Sequence, residues 1–181
     1  RVTQMDIFSR LMADRLLWVA GPVNDQMSTI VQAQLMFLSN TAHDDITMHI
    51  DSPGGSVKSG LSMVDVMDYI PCDIRTVNTG MAASMGSVLL GAGKKGKRSS
   101  LRHSTTMLHQ SSGGFSGNIQ DAKVDWAEWQ KVNEELFVLL GSYCGKTAEQ
   151  VKNDATRDFW LNAEEAKKYG IIDEIIKPQT K

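Results

Sequence analysis

The chain has 181 residues, a formal net charge of -2 and 41% hydrophobic residues. A chain of this length and composition can bury a sizeable core. The weak net charge argues against a surface built for nucleic acid or acidic membranes. No apolar run approaches the roughly 18 residues of a membrane span, and the charged residues within positions 5–19 do not fit a secretory signal peptide.

The two cysteines, Cys72 and Cys144, lie far apart and form no C-x-x-C pair. This spacing does not predict a disulfide framework or a zinc site, and it fits a reducing compartment. The chain begins at Arg1 rather than at methionine, so we expect that an upstream segment has been removed or omitted.

Apolar periodicity, helix caps and glycine or proline breaks predict alternating helices and strands. In chain order they are a short helix near residues 5–12, a strand over 16–20, a helix from 24 or 25 to about 39, a strand over 46–50, a helix from 57 to near 71, a strand over 74–78, a helix over 85–92, a strand over 105–109, a long helix over 119–144, a short helix over 147–154, a strand over 159–161 and a helix over 163–169. This alternation predicts an α/β fold with βαβ crossovers. Because no linker or internal repeat divides the chain, we predict a single domain over residues 1–181.

Three stretches allow two interpretations each. The basic run 94–98 is typical of a solvated turn rather than of nucleic-acid binding. Residues 111–117 suit a loop or a glycine-rich strand. Trp126 and Trp129 belong to an apolar stripe on the long helix. Such a stripe is usually core, but here it also suits an interface, because the helix is too long to be covered by so small a domain.

Two places along the chain could hold groups that act on a substrate. Gly54 and Gly55 follow a strand and a proline, so their backbone could approach a ligand closely and donate an N–H to an oxyanion. A glycine pair between a strand and a helix is more often a simple turn. Ser84 stands where a strand gives way to a helix, a position that can expose a hydroxyl beside the free N–H of Met85. The local alternative is that Ser84 only caps the helix.

A serine nucleophile needs a base and an acid that orients it. Of the four histidines, His109 has the best position, because it ends an apolar strand and precedes a polar, glycine-rich stretch. A lone histidine at a strand end is more often structural. Spacing alone does not select the acid, and Asp158, between Arg157 and Phe159, would more often form a surface ion pair.

Taken together, the motifs resemble the Clp protease proteolytic subunit family. The resemblance runs from about residue 5 to residue 176, with the motifs in the family's order. The matching stretches are Ser52-Pro53-Gly54-Gly55, Gly80-Met81-Ala82-Ala83-Ser84-Met85-Gly86, Met107-Leu108-His109-Gln110 with Gly113-Gly114, Arg157-Asp158-Phe159 and Tyr169-Gly170-Ile171-Ile172-Asp173.

The resemblance implies a catalytic triad of Ser84, His109 and Asp158, with the N–H groups of Gly55 and Met85 as the oxyanion hole. It further implies that substrate is bound by backbone pairing along the glycine-rich stretch. The predicted substrate-binding residues are Gly54, Ser56, Ser111, Gly113 and Gly114.

The implied fold is a crotonase-like ββα spiral with a protruding strand-helix handle at about residues 110–145. The implied assembly is two stacked heptameric rings of this chain that enclose the active sites. A separate AAA+ unfoldase of the ClpX, ClpA or ClpC type would feed unfolded polypeptide into the chamber. No Walker motif is present, so ATP would be used by that partner, and we predict no cofactor or metal for this chain. We expect a cytoplasmic protein of bacterial type, or one of an organellar matrix or stroma, without nucleic-acid or membrane partners.

Several residues depart from the family pattern. Ser111 stands where proline usually follows His-Gln, Met81 replaces a usual glutamine, and Thr156 stands where an acidic residue commonly joins an ion pair between rings. Positions often aromatic in the pocket that docks the unfoldase hold three polar residues, Thr47, His49 and Ser99. Less apolar area weakens such docking, which predicts poor docking or a mixed assembly with a second paralogue.

Two other functions fit part of this pattern. A non-catalytic ring subunit would share the assembly without hydrolysis. An acyl-CoA hydratase or isomerase of the crotonase superfamily would share the fold, but it would use glutamates and need no serine nucleophile.

Overall fold

The computed structural model describes residues 5–114 and 118–178. In chain order its elements are α1 (Ile7–Ala13), β1 (Leu16–Ala20), α2 (Asp25–Thr41), β2 (Ile46–Ser52), α3 (Val57–Tyr69), β3 (Ile74–Ala83), α4 (Met85–Gly91), β4 (Arg98–Leu101), β5 (Thr105–Leu108), α5 (Ile119–Cys144), α6 (Ala148–Asp154), β6 (Phe159–Asn162), α7 (Ala163–Tyr169) and β7 (Glu174–Ile176). The predicted α/β class is confirmed. Residues 115–117 of the predicted glycine-rich stretch lie outside the described residues, and residues 111–114 form no strand.

One sheet of seven strands organises the described residues. Its main path runs β1-β2-β3-β4-β7 with every pair parallel, as βαβ crossovers require. β3 is long enough to pair with two further strands in succession: residues 76–78 pair with β4, and residues 81–83 pair with β5. β6 then pairs antiparallel with β5. The sheet therefore divides along β3, and the second branch begins where β3 ends.

The core is apolar and packs the helices against the sheet. Alternate residues of β2 are buried, and α2, α3 and α4 each turn apolar residues toward them. The side chains with no more than 2% exposure include Leu35, Ile46, Met48, Ile50, Met63, Met85, Leu89 and Leu90. Fully burying such a side chain contributes about 1.5–3 kcal/mol. This core anchors the end of β3, where Ser84 follows.

The strands β4 and β7 were not predicted, and the interpretation of Arg98 as part of a solvated turn is wrong. Lys95 and Gly96 do form a turn, but Arg98 begins β4 and is 2% exposed. Its guanidinium donates to both carboxylate oxygens of Asp173, at 2.9 and 2.6 Å, and to the carbonyl of Tyr143 at 2.8 Å. The local sequence predicts an exposed Arg98, because the carboxylate that pairs with it, Asp173, lies 75 residues further along the chain.

The charge of Asp173 is balanced by this contact. Burial alone raises the pKa of the Asp173 carboxyl, but hydrogen bonds from the Arg98 side chain and backbone, together with the Arg98 charge, outweigh it and leave the pKa below its ordinary value. The pair joins β4 and the start of β7 to the C-terminal end of α5, through the Tyr143 carbonyl.

α5 has the bounds that its periodicity predicts, and its 26 residues give a length of about 39 Å. Its buried residues all lie in the C-terminal half, from Leu136 to Gly141. The N-terminal half exposes apolar side chains, among them Ile119 (76%), Val124 (69%) and Trp126 (49%). The helix therefore extends beyond what this core covers. No helix in the described part of the chain is long and apolar enough to cross a bilayer.

Candidate active site

Ser84 lies in a sharp turn between β3 and α4. The pairing of β3 with β5 continues to Ser84, whose N–H donates to the Met107 carbonyl at 2.9 Å. Its backbone has φ 54° and ψ -122°, a conformation that costs a non-glycine residue about 1–3 kcal/mol. Ser84 occupies the N-cap position of α4, but its hydroxyl makes no capping hydrogen bond, so the local interpretation that Ser84 only caps the helix is wrong. The strained turn leaves the hydroxyl available to another group.

The register of β5 and β6 brings His109 and Asp158 together. Leu108, the last residue of β5, pairs with Phe159, the first residue of β6. In an antiparallel pair the next positions, 109 and 158, then face each other. Because β5 is also the neighbour of the β3 end, the same strand places His109 beside Ser84. Two strand pairings thus gather residues that are 25 and 49 positions apart.

The three side chains form one continuous contact. The Nε2 atom of His109 lies 2.8 Å from the Oγ of Ser84, and its Nδ1 atom lies 3.3 Å from an Oδ1 of Asp158. The His109 side chain is 22% exposed and that of Asp158 is 61% exposed. The imidazole can therefore take the seryl proton on one side while the carboxylate holds its other nitrogen.

The other histidines do not reach this cluster. His43 and His103 are exposed, the latter in a turn. His49 stacks on Trp18 with ring centroids 4.4 Å apart, and burial lowers its pKa. Among the described residues, no group of three or more His, Cys, Asp or Glu side chains could hold a metal ion. Both cysteines are free thiols, and burial raises the pKa of Cys144 to about 11, which keeps it protonated.

The loop from Ser52 to Gly55 packs directly against the Ser84 turn. A Cβ atom on Gly54 would lie 2.6 Å from the Ser84 Cβ, 2.7 Å from the Ala83 carbonyl oxygen and 2.8 Å from the Met85 nitrogen. The φ of Gly54 is +90°, which also favours glycine. No other residue type fits this contact without displacing the turn.

Gly55 is held in place by its neighbours. The Val23 N–H donates to the Gly54 carbonyl at 2.8 Å, and the Ser56 N–H donates to the Val23 carbonyl at 2.9 Å. The Gly54 N–H donates to Ser52 Oγ at 3.1 Å. None of these bonds uses the Gly55 N–H. Met85, the first residue of α4, likewise has no carbonyl one turn earlier in its helix to accept its N–H. The N–H groups of Gly55, next to Gly54, and of Met85, next to Ser84, are therefore candidates for an oxyanion hole.

The remaining predicted site residues lie around this centre, but some of their polar atoms already have partners. The Ser56 hydroxyl caps α3 and accepts from the Ser59 N–H at 3.3 Å and hydroxyl at 2.7 Å. The Ser111 N–H and hydroxyl both donate to Asn133 Oδ1. Gly113 and Gly114 are exposed. Substrate binding by these residues stays a prediction.

A polar cavity of about 490 Å³ opens beside the imidazole and the carboxylate. It is lined by residues 109–112 on one side and 156–158 on the other. The hydroxyl of Thr156 donates to carbonyls at the end of α6, at 2.9 and 3.2 Å, and so is satisfied within its own turn. The His109 side of the cluster is therefore open to solvent.

Two supporting residues were missed by the sequence analysis. Ser52 Oγ donates to the Gly21 carbonyl at 2.7 Å while it accepts from Gly54, and it is fully buried. Its place directly before Pro53 and the glycine pair could have drawn attention to it. No sequence pattern indicated Asn133, because its hydrogen bonds are to Ser111, which lies 22 residues earlier in the chain.

A hydroxyl on an imidazole that is itself held by a carboxylate is the side-chain arrangement of the serine hydrolase class. The site lies at the carboxyl end of β3, where the sheet divides. The order along the chain is serine, histidine, aspartate, and the turn is not the G-x-S-x-G elbow of the α/β-hydrolases.

Comparison with known proteins specifies the class further. The family model of Clp protease matches residues 1–179. An ATP-dependent Clp protease proteolytic subunit of Porphyromonas gingivalis is 46% identical over 181 residues, which cover 99% of this chain and 82% of that protein. Proteins of the same description from Bacteroides fragilis and Bacteroides thetaiotaomicron are 46% and 45% identical over 176 residues, covering 97% of this chain and 85% and 80% of theirs.

The chain belongs to the Clp protease family. It is a proteolytic subunit, and its reaction is the hydrolysis of peptide bonds. These relatives do not favour the acyl-CoA alternative that the shared fold had left open.

Proposed function

We propose that Ser84 is the nucleophile of this peptidase, that His109 is its general base and acid, and that Asp158 orients the imidazole. The single observation that supports this assignment most is the 2.8 Å contact between Ser84 Oγ and His109 Nε2, with Asp158 on the opposite nitrogen. In this proposal the strained turn at Ser84 keeps the hydroxyl away from the helix and toward the base.

The reaction follows from these positions. Ser84 Oγ attacks the scissile carbonyl as His109 takes its proton, and the developing oxyanion accepts hydrogen bonds from the N–H groups of Gly55 and Met85. His109 then gives the proton to the leaving amine, and the C–N bond breaks to leave an acyl-serine. Water, deprotonated by His109, attacks this ester, and the proton returns to Ser84 as the acid product leaves. In this proposal the three side chains and the two backbone donors supply every step, so the reaction requires no cofactor.

The proposed substrate is unfolded polypeptide, bound by its backbone along residues 110–114 together with Gly54 and Ser56. Backbone pairing uses groups that every residue carries, which suits a peptidase that accepts many sequences. The exposed glycines 113 and 114 leave room for a second chain to approach.

We further propose that the chain works in two stacked heptameric rings, formed by this subunit alone or with a paralogue. Exposed apolar side chains support an assembly: Ile7 (63%), Phe8 (61%) and Phe37 (59%) on α1 and α2, and the N-terminal half of α5. In this proposal α5 and the residues before it, about 110–145, form the handle between rings. A separate AAA+ unfoldase would hydrolyse the ATP, and the compartment would be the cytoplasm or an organelle of bacterial origin.

A fluorophosphonate label tests the assignment of the nucleophile. We expect one label per subunit, attached to Ser84 and located by peptide mass spectrometry, in a particle whose solution mass corresponds to fourteen subunits. Denatured protein serves as the control and should not react. Absence of labelling in a correctly assembled particle would contradict the proposal and favour a ring subunit that only builds the chamber.

The polar residues at the predicted docking pocket lead to a separate prediction. Thr47 and His49 lie two positions apart on β2 and are partly exposed, whereas Ser99 is 4% exposed and donates to the Thr76 carbonyl at 3.2 Å. Ser99 therefore offers almost no surface to a partner. Thr47 is the better position at which to restore apolar area.

We expect Thr47→Tyr to speed unfoldase-dependent degradation of a folded, tagged substrate several-fold, because about 50 Å² of added apolar area contributes roughly 1 kcal/mol to docking. Hydrolysis of a short fluorogenic peptide needs no unfoldase and should stay unchanged, so it serves as the internal control. If the wild-type homo-oligomer already degrades the folded substrate at full rate with one unfoldase, the weak-docking hypothesis is wrong.

A further inference from the structure

Asn133 connects the helix α5 to the segment that follows His109. Its Oδ1 atom accepts two hydrogen bonds from one residue, from the Ser111 N–H at 2.9 Å and from the Ser111 hydroxyl at 2.8 Å. Both residues are half-buried. Residue 111 is only two positions beyond His109, so this contact fixes the chain close to the imidazole.

A second contact from the same face of α5 supports the first. Trp129 lies one turn before Asn133, and residues four apart share a helix face. A Cβ atom on Gly113 would lie 3.6 to 4.0 Å from the Trp129 ring, which is ordinary van der Waals contact. Two consecutive turns of α5 thus border the segment 111–113.

The helix is firmly held where these contacts arise. One to two turns beyond Asn133, the buried side chains Leu136, Phe137 and Leu140 fix α5 in the core. On the other side, β5 holds the chain up to Leu108 through its pairing with β3 and β6. His109 therefore lies between two anchors, the strand before it and the contact of Ser111 with Asn133 after it.

We infer that Asn133 is a positioning residue for the peptidase reaction, which holds the segment 110–114 and thereby keeps His109 Nε2 on Ser84 Oγ. The inference rests on the proposed function, because it assumes that His109 acts on Ser84. Without the amide oxygen, the backbone after His109 has lost its anchor, and the partly buried Ser111 N–H has lost its acceptor.

Asn133→Ala is expected to lower kcat for a short fluorogenic peptide and the rate of fluorophosphonate labelling at Ser84 by about tenfold each, with KM changed little. Amide exchange in peptides covering residues 108–114 should become faster. Asn133→Asp keeps an oxygen acceptor of the same size and should restore all three readouts to near wild type. Glu135→Ala, an exposed change two positions further along α5 and on another face, is the matched control and should leave them unchanged.

Each outcome either supports or overturns the positioning role of Asn133. An active wild type beside an unchanged Asn133→Ala overturns the positioning role alone, and so does a folded Asn133→Asp that is as impaired as the alanine variant. A wild type that neither labels nor hydrolyses overturns the proposed function as well, whatever the exchange data show.

If Asn133→Ala fails to fold, Asn133→Asp and Ser111→Ala replace it. The serine change removes only the hydroxyl bond. A loss of about threefold in kcat for Ser111→Ala, with Asn133→Asp active, supports the inference. Wild-type kcat in Ser111→Ala overturns it.

Discussion

Replacing Ser84 by alanine is expected to lower the kcat for a short fluorogenic peptide by about four to six orders of magnitude. The change removes the oxygen that forms the acyl intermediate and leaves His109 with no hydroxyl to deprotonate. The fold should persist, because the Ser84 side chain makes no capping bond to α4 and the backbone bonds of residue 84 to Met107 and Ser87 are kept. The measurement is peptide hydrolysis per mole of subunit, beside the mass in solution.

The matched control is Ser142→Ala, a serine near the end of α5 whose hydroxyl only donates to the Leu139 carbonyl of its own helix. It should retain wild-type hydrolysis. Activity within tenfold of wild type in Ser84→Ala would mean that another group attacks the substrate. A loss of the assembled particle in that variant would leave fluorophosphonate labelling of the wild type as the deciding measurement.

Gly54→Ala is expected to reduce peptide hydrolysis by about a hundredfold or more, which is the effect of losing one oxyanion donor. The added methyl group would lie 2.6 to 2.8 Å from atoms of residues 83–85, so either the Ser84 turn or the loop before Gly55 must move. Both movements change the distance between the nucleophile and the Gly55 N–H. Labelling of Ser84 by a fluorophosphonate should slow in parallel, because that reaction uses the same donors.

Gly96→Ala is the matched control, which distinguishes the effect of the close contact with the Ser84 turn from the effect of backbone strain. Gly96 has φ +87°, almost the same as the +90° of Gly54, but no atom lies within 4 Å of the position its Cβ would take. Both alanine variants should lose about 1–2 kcal/mol of stability through the unfavourable φ. Only Gly54→Ala should lose the activity. Equal activity in the two variants would show that the close approach to Ser84 is unimportant.

Asp158 can orient His109 although its own side chain is exposed. Asp158 is 61% exposed, so its charge is screened by water and contributes little to stability. Its position is nevertheless fixed by the pairing of β6 with β5, which places it opposite His109. The carboxylate can therefore orient the imidazole at this rim of the sheet.

Local pattern was sufficient for most helices and strands. The bounds of β1, α5 and α7 agree with their periodicity, since an apolar face and its caps are properties of neighbouring residues. β3 is longer than predicted because residues 79–83 contain glycine and alanine, and they become strand only by pairing with β5. Likewise β4 and β7 are short strands, of four and three residues, that are formed by pairing with each other across the sheet.

The residue types and spacing by themselves indicated Ser84 and His109 as candidates, and the motifs in their order indicated the family. They could not select Asp158, reveal that Arg98 is buried against Asp173, or connect Asn133 with Ser111. These facts depend on strand register and on contacts between residues 22 to 75 positions apart. Periodicity is a property of residues within one helix turn or one strand. Strand register and burial arise only when distant segments pack together, so the tertiary structure decided these contacts.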